Sequence, residues 1–308
     1  MSTILITGGT GLIGSALTKM LTGQGHKVII LTRAQKSSVD SNISYAVWDT
    51  KSQKINEEAV ASADYIVHLS GAGVADKRWT SERKKEIVES RQQGGALLVK
   101  ALMQVPNNVK AVISASAIGW YGKDEDRSPK KKAFTEDAGA DKGFLGETCR
   151  LWEESIEPVK DAGKRLVKLR IGIVLSNDGG ALPEFKKPVK FGIAGVLGSG
   201  RQVVSWIHIE DLCRMFIYAI ENESVAGVYN AVAPTPVTNK DLTLLLAEKM
   251  KGTFYVHMHV PIFVLKAMLG EMSTEVLKSA TVSAEKIRSV GFTFLYPSIE
   301  SALDNLIK

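Results

Sequence analysis

The chain has 308 residues, 44% of them hydrophobic and 23% charged, with a formal net charge of +6. That composition fits a folded globular protein with room for a large core in one or two lobes. The modest positive charge suits anionic small molecules such as nucleotides and makes no case for nucleic acid. No apolar run approaches the ~18 residues a membrane helix needs, and Met1-Ser-Thr lacks the basic start of a signal peptide. Cys149 and Cys213 show neither a disulfide framework nor metal-ligand spacing, so a reducing cytoplasm is the expected compartment and no metal site is expected.

The first element is the apolar run Thr3-Ile-Leu-Ile-Thr7, which reads as a strand. It enters a turn with Gly8, Gly11 and Gly14 in G-x-x-G-x-x-G spacing, and a helical pattern covers Leu12–Gly23. Strand, tight turn and helix form a dinucleotide-binding corner. Gly8 permits the turn, Gly11 admits a pyrophosphate close to the backbone, Gly14 lets the helix pack against the strand, and the phosphates rest on the free N–H groups at the helix start. Thr10, Leu12 and Ile13 join the three glycines as candidate cofactor contacts.

The second strand, Lys27–Thr32, leads into Arg33. An NAD site carries Asp or Glu about 20 residues beyond the glycine turn, to accept bonds from the ribose 2′-OH. No acidic residue occurs between Met1 and Val39; Arg33 stands in that place, and Lys36 follows. A guanidinium holds a 2′-phosphate through paired charged hydrogen bonds, so NADP(H) is the expected cofactor, with Thr32 and Arg33 at its ribose. The plain alternative for Arg33 is an exposed side chain on a solvated loop. Asp49, which follows the third strand (Ile43–Trp48), reads either as an adenine contact or as a surface acid.

Helix and strand patterns then alternate: Asn56–Ser62, Tyr65–Ser70, Ser81–Leu102, Ala111–Ser116, Phe144–Glu157 and Leu166–Ile173. Continuous apolar strands between helices predict an α/β fold, a doubly wound parallel Rossmann sheet covered on both faces. Ligands bind such sheets beyond the carboxyl ends of the strands, where Gly8, Arg33, Ser70, Ser116 and Arg170 all fall. Lys130-Lys-Lys132 reads as a solvated loop rather than a binding patch. Past Leu175 the alternation weakens. Gly-, Pro- and Lys-rich sequence precedes a helix near Ile209–Glu221, a return strand at Gly227–Ala231, and helices near Asn239–Lys251 and Ile262–Leu269. The expected organisation is a Rossmann domain over 1–175, with segments near 203–232 returning to it, and a smaller, mostly C-terminal substrate lobe over 176–308.

Four segments carry a family resemblance: the glycine turn, Leu69-Ser-Gly-Ala-Gly73, Ser114-Ala-Ser-Ala-Ile-Gly-Trp-Tyr-Gly122 and Ser205-Trp-Ile-His-Ile-Glu-Asp211. In this order the chain resembles an extended short-chain dehydrogenase/reductase. Ala75-Asp-Lys-Arg-Trp79, Leu197-Gly-Ser-Gly-Arg-Gln202, Asn230-Ala-Val-Ala-Pro234 and Gly291-Phe-Thr-Phe294 narrow it to the atypical branch known as "epimerase family protein", which is nucleoside-diphosphate-sugar epimerase-like. The resemblance covers essentially the whole chain. It implies that Leu69, Ser70 and Gly71 line the nucleotide, and that Glu86 and Arg91 lie near the adenosine and its phosphates. Read without it, those two residues are a solvated helix face with local ion pairs.

The resemblance also implies a Ser at the fifth strand and a Tyr-x-x-x-Lys helix. The Lys of that pair makes a phenol of pKa ~10 usable near neutral pH. Here the sequence departs from the pattern: none of the seven tyrosines has Lys four residues later. Phe144 or Leu145 takes the Tyr place, and Thr148 or Cys149 the Lys place. Ser116 matches the family serine and is either a hydroxyl at the hydride site or a strand-end serine serving the backbone. Tyr121 and His208 are the remaining acid–base candidates, although a lone His is more often structural. Cys149 is a nucleophile only if a nearby cation lowers its pKa. Lys77, Arg78 and Arg201 are candidates to bind an anionic substrate; Trp79 and Trp206 either stack on a substrate or simply pack. Arg170 completes the cofactor candidates.

Two readings follow. One is an NADP(H)-dependent oxidoreductase or epimerase-like enzyme for a small carbonyl or nucleotide-sugar-type substrate. The other is a non-catalytic NADP(H)-binding sensor or assembly factor.

Overall fold

The computed structural model describes residues 1–126 and 133–307; Lys130–Lys132 lie outside them. In chain order the first half runs β1 (Thr3–Thr7), α1 (Leu12–Gly23), β2 (Lys27–Thr32), β3 (Ile43–Asp49), β4 (Lys54–Ile55), α2 (Glu57–Ala61), β5 (Tyr65–His68), α3 (Ser81–Gln104), β6 (Ala111–Ala117), α4 (Phe144–Ile156) and β7 (Arg165–Ile171). The second half runs β8 (Ile173–Leu175), α5 (Ala181–Lys190), β9 (Ile193–Leu197), β10 (Val203–Val204), β11 (Trp206–His208), α6 (Ile209–Glu221), β12 (Gly227–Ala231), β13 (Val237–Thr238), α7 (Asn239–Lys251), β14 (Val256–Val260), α8 (Ile262–Leu269), α9 (Ser273–Val276), α10 (Glu285–Ser289) and α11 (Ile299–Leu306).

The main sheet has the order β12-β7-β6-β5-β1-β2-β3-β4. All neighbours pair in parallel except β3 and β4. The winding reverses at β1: β2 and β3 lie to one side, β5, β6 and β7 to the other. A crevice at the carboxyl ends of β1 and β5 is the consequence. Period-two alternation sends Ile4 and Ile6 into one core with α1 and α6, and Leu5, Ile66 and Val112 into another beneath α2 and α3. This is the doubly wound Rossmann sheet expected from the sequence.

The run read as one strand over Leu166–Ile173 divides at Gly172. A Cβ there would lie 2.6 Å from the Ser205 carbonyl. The chain leaves the main sheet at this point, and β8 pairs instead with β11. A third core, with Leu182, Trp206, Leu242 and Leu303, builds the smaller lobe. The C-terminal stretch also returns to the first lobe, because Val282, Ile287 and Phe292 are buried in the core around α6.

Ser205-Trp-Ile-His-Ile-Glu-Asp211 anchors that return. Ser205 Oγ donates to the Ala280 carbonyl (2.8 Å) and accepts from the Val282 N–H (3.0 Å). The wholly buried Asp211 carboxylate accepts the N–H groups of Leu295 (2.8 Å) and Tyr296 (2.9 Å). Among the described residues, no helix is long and apolar enough to cross a membrane.

Candidate active site

A cleft of about 950 Å³ opens at the carboxyl ends of β1, β2, β3 and β5. Its lining includes Gly8, Thr10, Gly11, Thr32, Arg33, Asp49, Leu69, Ser70, Gly71 and Glu86, all singled out in the sequence. Gly8 has φ +70°, and a Cβ on it would lie 3.0 Å from the Leu69 backbone. A Cβ on Gly14 would fall 2.3 Å from the Gly8 carbonyl, so glycine alone lets α1 meet the turn. Leu12, Ile13 and Gly14 form the first turn of α1 and are not part of the lining.

The two strand ends that flank the crevice are tied together by Thr7. Its hydroxyl accepts the N–H groups of Leu69 (3.1 Å) and Ser70 (3.2 Å) and lies 2.8 Å from His68 Nδ1. Burial, with help from the Arg91 charge, pushes His68 down to about 4, so it is neutral near pH 7. Arg91 itself is buried beside the cleft and donates to the carbonyls of Ala72 (3.0 Å) and Ile87 (2.8 Å). A Cβ on Gly71 would lie 3.0 Å from the Arg91 guanidinium carbon, so Arg91 braces the Gly71–Gly73 strap from beneath.

The cleft also holds residues the sequence reading did not select. Arg83 is 8% exposed and donates to the Gly73 carbonyl (2.5 Å) and to Glu86 (2.5 Å). Its Nε, like the Ser70 hydroxyl, is buried without a hydrogen-bond partner. Trp48, Thr50 and Lys51 line the other wall, beside Lys36, which the sequence reading placed after Arg33. The only local signal for Arg83 was its place three residues before Glu86 at a helix start capped by Thr80. An open glycine corner, cations at the end of β2 and unpartnered donors suit a phosphorylated dinucleotide.

At the ends of β6 and β7, next to β5 in the sheet, the polar groups are arranged differently. Ser116 Oγ donates to Glu153 (2.8 Å). Arg170 pairs with the same carboxylate (2.7 Å) and donates to the Tyr121 hydroxyl and the Glu136 carbonyl (3.1 Å each). Its guanidinium lies 3.7 Å over the Trp120 ring. Arg170 therefore belongs to this buried network and not to the cleft lining. Tyr121 is wholly buried and donates to Asn230 (2.6 Å). Burial pushes its phenol up to about 12 despite the neighbouring Arg170 charge.

On α4, Leu145 and Cys149 face the end of β6. A Cβ on Gly119 would lie 3.2 Å from Leu145 Cβ and 3.5 Å from Cys149 Sγ. Thr148 bonds back to the Phe144 carbonyl (2.7 Å), and Phe144 meets Trp79 edge-on at 4.9 Å. Burial raises the Cys149 thiol to about 12, although Arg91 opposes the shift, so no thiolate forms near pH 7. His208 is buried, and its Nδ1 accepts the Glu210 N–H (3.1 Å) as the N-cap of α6. Burial lowers its pKa, with Asp211 opposing.

Trp206 and Trp79 are both buried and donate to the carbonyls of Thr235 (3.0 Å) and Val74 (2.8 Å). Lys77, Arg78 and Arg201 are exposed. A Cβ on Gly270 of the smaller lobe would lie 2.7 Å from Arg78 Nε, and Lys84 pairs with Glu271 (2.5 Å), so the lobes meet beside the strap.

The profile of the NAD-dependent epimerase/dehydratase family matches residues 4–231. The chain belongs to this family. A domain of unknown function, DUF1731, matches residues 260–306. Among its relatives, the epimerase family protein YfhF of Bacillus subtilis is 36% identical over 305 residues, covering 99% of this chain and 97% of that one. The human epimerase family protein SDR39U1, solved with NADPH, superposes with a TM-score of 0.87 at 27% identity and 99% coverage of both chains. A nucleoside-diphosphate sugar epimerase from Corynebacterium glutamicum gives a TM-score of 0.77 at 31% identity, over 99% of this chain and 58% of that one. The extended short-chain dehydrogenase/reductase fold and the epimerase-like branch expected from the motifs are thus both present.

Proposed function

We propose that this family member is an NADP(H)-dependent oxidoreductase or epimerase-like enzyme acting on a small carbonyl or nucleotide-sugar-type substrate without a Tyr-x-x-x-Lys pair. The observation that carries the proposal is the cationic end of β2, where Arg33 and Lys36 line a dinucleotide-sized cleft at the place an NAD site needs an acid. The NADPH-bound human relative supports the same choice of cofactor. When bound, NADP(H) supplies or accepts a hydride at its nicotinamide carbon. The glycine-turn amides and the start of α1 hold the pyrophosphate, Arg33 takes the 2′-phosphate, and Leu69, Ser70 and Gly71 line the nucleotide. Ser116, held by Glu153, orients the substrate oxygen. Lys77, Arg78 and Arg201 attract an anionic substrate from the rim, and the smaller lobe excludes water. A cytoplasmic setting belongs to the proposal and is supported by two buried, unpaired cysteines.

The test is fluorescence titration with NADPH, followed by turnover against a panel of carbonyl compounds and nucleotide sugars. A Ser116→Ala variant that keeps its NADPH affinity and loses turnover supports the enzyme.

One observation favours a second reading, a non-catalytic NADP(H) sensor or assembly factor. Ser116 and Tyr121 are each buried with their hydroxyls engaged by protein partners, and His208 caps α6 through Nδ1 while its Nε2 is buried without a partner. The anchoring role of Ser205–Asp211 also accounts for that motif without catalysis. Tight NADPH binding with no oxidation by any member of a broad panel selects this reading.

A further inference from the structure

The turn between β3 and β4 forms one wall of the cleft, and it is held there by a strained residue. Gln53 is the only non-glycine residue among the described ones with a positive φ, +53°, a region that side chains rarely occupy. Its amide donates to the Thr50 carbonyl within the turn (2.6 Å) and to the Gln93 carbonyl on α3 (3.2 Å). The second bond docks the turn onto the helix that forms the opposite wall.

Asp49 is occupied by the same turn. Its carboxylate accepts the Ser52 hydroxyl (2.7 Å) and the Lys51 N–H (2.9 Å), bonds that hold it below the usual carboxylate range. Lys51 is exposed on the cleft rim.

The cleft is electrostatically two-sided. Arg33, Lys36 and Lys51 stand with Asp49 on the strand-end wall, and Glu82, Glu86 and Glu89 with Arg83 and Lys85 on the α3 wall. Glu86 is held low chiefly by Arg83, with Lys77 and Lys51 contributing, so the Lys51 charge is felt across the cleft. Cations outnumber carboxylates on the strand-end wall and carboxylates outnumber cations on the α3 wall, so a dianion entering this space is favoured on the strand-end side.

We propose that Lys51 is a specificity-determining residue for the 2′-phosphorylated dinucleotide, gripping that phosphate from the side opposite Arg33, and that Gln53 positions the turn that carries it. This rests on the NADP(H) reading above. A planar guanidinium satisfies two phosphate oxygens, and a flexible ammonium from a second strand end neutralises the rest. An unphosphorylated ribose offers Lys51 nothing, so its removal separates the two cofactors.

The experiment measures Kd for NADPH and NADH, at fixed ionic strength, on the full chain and on Lys51→Met, Lys51→Arg and Gln53→Ala. Lys51→Met is expected to weaken NADPH about tenfold, with NADH changed less than about twofold. Lys51→Arg should restore most of the loss, and the salt dependence of NADPH binding should flatten in Lys51→Met. Gln53→Ala should weaken both cofactors by loosening the wall. Equal loss of NADPH and NADH in Lys51→Met, or no loss of either, overturns the assignment; unchanged affinities in Gln53→Ala remove the positioning role. If the folded wild-type chain binds neither cofactor, the NADP(H) reading itself falls, and the Lys51 proposal with it.

Discussion

Two regions along the carboxyl edge of the sheet treat polar groups in opposite ways. At the β1–β5 crevice, donors are left over: Ser70 Oγ and Arg83 Nε are buried without partners, and Arg33, Lys36 and Lys51 face open space. At the ends of β6 and β7 the polar groups consume one another. Ser116, Arg170 and Lys168 all converge on Glu153, and Tyr121 is held between Arg170 and Asn230. Unsatisfied buried groups are costly unless a ligand completes them, whereas a closed network is a structural asset that cannot easily release a proton. The open crevice is built to take a ligand, and the closed network at β6 and β7 is built to hold the fold together.

The largest expected effect tests the closed network. Glu153→Ala leaves Arg170 and Lys168 buried without their shared carboxylate, and should cost about 3 to 5 kcal/mol in urea unfolding. A loss below about 1 kcal/mol would mean the network is dispensable for stability.

A pH titration compares the crevice with it. His68 has a folded pKa of about 4, below its ordinary 6.5, so the unfolded chain binds more protons between those values. Stability is full above pH 6.5 and falls by up to about 3 kcal/mol as pH drops toward 4. His68→Gln should flatten that window; an unchanged profile would assign the acid sensitivity elsewhere.

Next in size is the open cationic wall. Arg33→Asp should weaken NADPH binding by about 2 kcal/mol or more, because a charged hydrogen bond is lost and repulsion added. Unchanged fluorescence titration would refute the 2′-phosphate assignment.

The smallest effect concerns His208. Removing its cap in His208→Ala should cost about 1 kcal/mol, and His208→Asn, which keeps a capping oxygen, should recover part of that. A turnover loss in the Asn variant out of proportion to its stability would restore His208 as a catalytic candidate.

The local elements were legible residue by residue. β1, α1, β2 and β12 have the bounds read from hydrophobic periodicity, and α6, α7 and α8 lie where that pattern placed them, because the signal lies within one element and its buried face. The glycine corner and the Arg33 substitution were legible for the same reason: chemistry and spacing sit within a few residues. The division at Gly172 was not, since it follows from the approach of Ser205, 33 positions away in sequence. Arg83 and Lys51 belong to no sequence motif, and only the packing that sets α3 and the β3–β4 turn across the cleft from each other brings them to it.

What the sequence determined by itself was a parallel α/β sheet with a phosphate-binding corner, a cationic end to its second strand and no Tyr-x-x-x-Lys helix. Only the tertiary structure decided which polar residues remain free to meet a ligand. Ser116, Tyr121 and Arg170 carry reactive groups in the sequence, but their partners Glu153, Asn230 and Glu136 come from distant elements. Whether a hydroxyl or guanidinium is available depends on what packs against it, and that is settled by long-range packing rather than by the residue or its neighbours in the chain.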